Sequence, residues 1–116
     1  MTKQRMWLAF IFLLVNAFSS NASEIDFSNP ESVATTFLNA LKEEKYKFAQ
    51  SLAIKEYQPA FSPDELKKVM KEHTIPETIE LKVKYSKNNT NADIVVIGTK
   101  IELELQLVDG KWLMEF

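Results

Sequence analysis

The chain holds one histidine, His73, no cysteine, and a single arginine, Arg5, near its start. A general base has to sit at the substrate with a tuned pKa. His73 is the natural candidate, with Glu72 and Glu77 close in sequence. A metal centre needs three or four ligands at a recognisable spacing, and these three residues make none. The absence of cysteine removes thiol catalysis, disulfides and cysteine metal sites together. A lone histidine near a helix C-terminus is also a favoured structural residue, because the dipole there stabilises positive charge. The expectation is no catalytic residue, no metal and no cofactor, with an enzyme using His73 or Tyr85 as the alternative.

A second set could bind rather than react. Tyr46, Tyr57, Phe61, Met70, Tyr85, Trp112 and Met114 are the aromatic and sulfur side chains that suit an apolar ligand pocket. The same residue types fill ordinary cores. Tyr57 and Phe61 flank Pro59 in a connecting segment, which places them nearest an opening.

The first residues read as a secretory signal. Lys3 and Arg5 precede the uncharged run Met6–Val15, and Ser20 and Ala22 supply small residues at the cleavage positions. Cleavage is expected after Ala22, with Ser23 the near alternative. The apolar run is shorter than the roughly 20 residues a membrane span needs. Residues 23–116 then form one domain with 12 lysines and 16 acidic side chains, a net charge of −4, and no arginine. Phosphate and nucleic-acid sites favour arginine's planar fork, so no nucleic-acid partner is expected. Lys67, Lys68 and Lys71 read as a solvated helix edge. Asn88-Asn89-Thr90 matches a glycosylation acceptor but reads as a turn in a bacterial product. Localisation is expected to be periplasmic or secreted, with no membrane association after cleavage.

The elements that must position these groups divide the chain in two. Asn29-Pro30-Glu31 is a helix start, with a cap, a first-turn proline and an acid at the positive dipole end. Val33, Ala34, Phe37, Leu38 and Leu41 follow at helical spacing. A short second helix carries Tyr46, Ala49, Leu52 and Ala53. Ser62-Pro63-Asp64-Glu65 reads as a capping box for a third helix with Leu66, Val69, Met70 and His73, which ends before Pro76.

From Thr78 the period changes to two, which predicts strands over Ile79–Tyr85, Ala92–Ile97, Ile101–Leu107 and Trp112–Phe116. Turns at Asn88-Asn89, Gly98-Thr99 and Asp109-Gly110 put the alternating apolar residues of all four strands on the same face. A slip of one residue at any turn would send its set to solvent. The expected fold is therefore α+β, with three N-terminal helices packed on a four-stranded antiparallel meander. Its inward face carries no Asp, Glu, His or Lys. On the outward face Val95, Ile97 and Leu113 are scattered, which suits a monomer or at most a weak homodimer.

Asn29-Pro30-Glu31, the run Phe37-Leu38-Asn39-Ala40-Leu41-Lys42, Tyr46, Ala49 and the closing Leu107-Val108-Asp109-Gly110-Lys111-Trp112 resemble small exported NTF2-like (cystatin-like) domains. The resemblance spans nearly all of residues 23–116. It implies a sheet curled around a helix into a cone, often enclosing an apolar pocket, and roles as enzymes, ligand binders or dimerisation modules. The function expected here is non-enzymatic binding of a small apolar ligand or an envelope protein partner. The alternatives are a small enzyme or a pure protein-interaction module with a filled core.

Overall fold

The computed structural model describes residues 25–116, and the expected leader with its cleavage site lies outside them. The chain runs through α1 (Pro30–Lys42), α2 (Tyr46–Ser51), a 3₁₀ segment (Lys55–Phe61) and α3 (Pro63–Glu72). It continues through β1 (Leu81–Tyr85), β2 (Asn91–Val96), β3 (Glu102–Val108) and β4 (Lys111–Glu115). The strands form one antiparallel sheet in the order β1-β2-β3-β4. The fold is α+β, helices first and meander second, as the change of period predicts. No helix of the described residues is long and apolar enough to cross a membrane.

α1 begins as its sequence dictates. The extended Asn29 accepts a hydrogen bond from the Glu31 N–H on its side chain, and Pro30 opens the helix. Val33, Ala34, Phe37, Leu38 and Leu41 are all buried, against β4 and β2. At its far end, Lys42 Nζ donates to the carbonyls of Pro76 and Glu77, both at 3.2 Å. That lysine ties the segment after α3 to the end of α1.

α3 starts with Ser62 accepting from the Glu65 N–H at 3.3 Å. The Glu65 carboxylate turns to Lys68 at 3.4 Å and not back to the cap. The helix closes one residue early: His73 is extended, its N–H bonded to the Val69 carbonyl, and the chain then carries Ile75 into the core. The stretch around Pro59, expected as an interrupted connector, is a 3₁₀ segment. Pro59 has no N–H to donate. Main-chain bonds such as Tyr57 N–H to the Ile54 carbonyl wind the segment, and side chains add to them: Gln50 Nε2 donates to the Gln58 carbonyl, and Gln58 Nε2 to that of Ala53.

The sheet registers agree with those required by the apolar pattern. Tyr85 faces Ala92, Val83 faces Ile94, Ile94 faces Leu103, Leu105 faces Met114 and Leu107 faces Trp112. Asp109 and Gly110 both have positive φ (51° and 79°), the geometry of a two-residue hairpin turn. The other two turns keep their register with longer loops. Gly98, at φ 84°, is the third residue of a turn closed by Thr99 N–H to the Val96 carbonyl. At the β1–β2 turn Asn89 takes positive φ, and the Ser86 hydroxyl accepts from the Thr90 and Asn91 N–H groups.

One feature has no signal in the period. The junction of α2 and the 3₁₀ segment docks on the outer edge of β4: Met114 N–H donates to the Leu52 carbonyl and Ile54 N–H to that of Met114, both at 2.9 Å. Further along the same edge, Trp112 N–H donates to the Phe27 carbonyl. The main-chain groups at this edge would otherwise be an open template for another strand.

Candidate functional site

The helical layer covers the sheet unevenly. α1 packs on β4 and β2, whereas α3 packs on α2 and the 3₁₀ segment. A cavity of about 530 Å³ opens between α3 and the sheet, within the roughly 300–1,000 Å³ typical of ligand pockets. Its floor is Phe37, Leu38 and Leu41 of α1 with Met114 of β4. The helical wall is Ala60, Phe61, Leu66 and Met70, closed below by Ile75. Ile101 and Leu103 form the sheet wall and are only half-buried.

Aromatic geometry fixes one side of this groove. Phe61 meets Phe37 edge-to-face with ring centroids 5.9 Å apart, and meets Phe116 in the same way at 6.3 Å. Such pairs hold ring orientation beyond simple area burial. Phe116 is nevertheless 78% exposed, and Val69 at the mouth is 43% exposed. Part of the rim is therefore apolar as well as the interior.

Charge stays at the mouth. His73 and Lys100 lie at the cavity edge, as do Glu102, Glu104 and Glu115. Glu102 and Glu104 alternate with Ile101 and Leu103, so their carboxylates stand on the sheet's other face. Among the described residues no group of three or more potential metal ligands is close enough to hold an ion.

Of the seven side chains singled out as ligand-lining, the groove gathers three: Phe61, Met70 and Met114. The other four lie elsewhere. Tyr46 opens α2 and borders a separate shallow cleft with Phe48 and Pro63, its ring 5.8 Å from Lys67 Nζ. Tyr57 is half-buried against the core. Tyr85 and Trp112 meet at 5.9 Å across the intervening strands, with the small buried Ala92 next to Tyr85 in the sheet. The groove's floor came from residues that pattern assigns to the core, Phe37, Leu38 and Leu41. A helical stripe shows which side of a helix is apolar, but not whether its partner closes over it. His73, weighed as a base and as a capping residue, caps α3 and borders the cavity at once.

Comparison with known proteins adds no relative. The chain matches no family model, no curated protein and no solved structure.

Proposed function

We propose that this is an exported, non-enzymatic domain of NTF2-like type that holds a small apolar ligand, or an apolar side chain of an envelope protein, in the groove between α3 and the sheet. The observation that carries this reading is the cavity itself. About 530 Å³ lined by Phe37, Leu38, Leu41, Phe61, Met70 and Met114 is more space than a filled core leaves. The interior walls are hydrocarbon, aromatic and thioether, so the driving force is removal of apolar surface from water. Export rests on the leader, and the NTF2-like assignment on the helix start, the α1 run and the closing hairpin. Periplasmic or secreted localisation follows from the same leader.

Native mass spectrometry of the protein purified from its own envelope fraction tests the reading. The expected spectrum shows the domain with a bound apolar molecule or protein. A bare monomer counts against it. A second reading is favoured by His73, which lies at the cavity's edge. In that case the groove is a small active site with His73 as base. Turnover of a bound molecule that His73→Gln abolishes, with binding intact, would select this alternative.

A further inference from the structure

The two outer strands of the sheet are treated differently. β4 has the outer N–H groups of Trp112 and Met114 and the Met114 carbonyl taken up by Phe27, Leu52 and Ile54. Among the described residues β1 has β2 as its only substantial neighbour. The bonds from Ser86 N–H to the Asn91 carbonyl and from Ile97 N–H to the Glu80 carbonyl show that even-numbered positions of β1 point their main-chain groups at β2. By alternation, the N–H and carbonyl groups of Leu81, Val83 and Tyr85 point outward. Among the described residues none of the three has a hydrogen-bond partner on that side.

The side chains along this edge are sorted by face. Leu81 and Val83 are half-buried and Tyr85 is 47% exposed, all on the sheet's apolar face. Lys82 and Lys84 are exposed on the opposite face, and neither has a carboxylate within 4.0 Å among the described residues. Lysines on an edge strand commonly discourage unwanted pairing. In the register that pairs the whole of β1 with a second copy, centred on Val83, Lys82 lies across from Lys84 of the other chain. Like charges directly opposite are destabilising. The same two charges favour a strand with acidic side chains on that face.

We propose that the free edge of β1 accepts a fifth strand from a protein partner, an extended segment that alternates apolar and acidic residues. The partner's main chain would bond Leu81, Val83 and Tyr85. Its apolar side chains would extend the sheet's apolar face, and its carboxylates would meet Lys82 and Lys84. This is recognition by strand addition, in which the main chain supplies affinity and alternate side chains supply specificity. It does not depend on a ligand in the groove.

The probe is a short synthetic peptide alternating valine and glutamate, with a matched valine–lysine peptide as its control. Amide hydrogen exchange should slow about ten-fold or more at Leu81, Val83 and Tyr85 with the glutamate peptide, and not with the lysine peptide. Val83→Pro removes an outward N–H without touching a bond to β2, and proline is tolerated on edge strands. That variant should fold and lose the peptide. Lys82→Glu combined with Lys84→Glu should reverse the preference between the two peptides, which keeps the test open if the proline variant does not fold. Equal slowing by both peptides, or no slowing, overturns the proposal. So does slowing that rises with protein concentration alone, which would assign the edge to a second copy.

Discussion

At the N-terminal end of the described chain, Asp26 shows how one side chain sets a local boundary. Its carboxylate accepts from the hydroxyl and the N–H of Ser28, and its carbonyl accepts from the Asn29 N–H that precedes α1. The Ser28 hydroxyl, and after it the Ser28 amide, favour the charged form and hold the Asp26 pKa below its ordinary value of 3.8. A carboxylate with a depressed pKa stabilises the fold above its unfolded-state pKa, and that contribution is lost as pH falls through the folded-state value. Ser28→Ala removes the larger cause and keeps the smaller one. Carboxyl-carbon NMR titration should show the Asp26 midpoint rise toward 3.8 in this variant. The stability difference between variant and parent should be present at neutral pH and shrink in acid. An unchanged midpoint would mean that the hydroxyl does not act on the carboxylate.

The hairpin from β3 to β4 is the element on which the sheet's last strand, and therefore Trp112 and Met114, depends. Gly110 sits at φ 79° with open space around the position of a Cβ. A side chain there meets no neighbour, so its cost is conformational alone. Gly110→Ala should lower stability in urea unfolding by about 1–2 kcal/mol, the cost of a left-handed residue other than glycine. A loss near zero would mean that the turn relaxes to another geometry. The same element shows what was legible beforehand. Asp109-Gly110 and the alternation of Leu103, Leu105 and Leu107 with acidic or amide residues specify both turn and register, because a half-buried strand tolerates no slip. The helix ends were less legible. Pro76 marks where α3 must have stopped, but the burial of Ile75, which takes the chain out of the helix at His73, is a tertiary contact. The docking of Leu52–Ile54 on β4 is likewise main-chain bonding between distant segments, to which side-chain period is blind.

Over the whole molecule, the decisive fact is that α3 leans on α2 and the 3₁₀ segment and leaves part of the sheet's apolar face uncovered. Composition supplied the apolar residues, while the angle between layers decides whether they close into a core or line a groove. Val33, Ile94 and Leu105, all fully buried, illustrate one outcome. Phe61, Met70 and Met114 illustrate the other. Ala60, a small half-exposed residue in the groove's wall, is where the account is most easily tested. Of the four methionines, Met70 and Met114 line the cavity, and Met1 and Met6 lie outside the described residues. Carbon-13 methyl-methionine NMR during a titration with decanol therefore reports on the groove directly. The account predicts that the Met70 and Met114 methyl signals shift together and saturate, and that Ala60→Trp, which fills the groove, folds but abolishes the shifts. Methyl signals that stay in place as decanol is added, or that shift equally in Ala60→Trp, would contradict it.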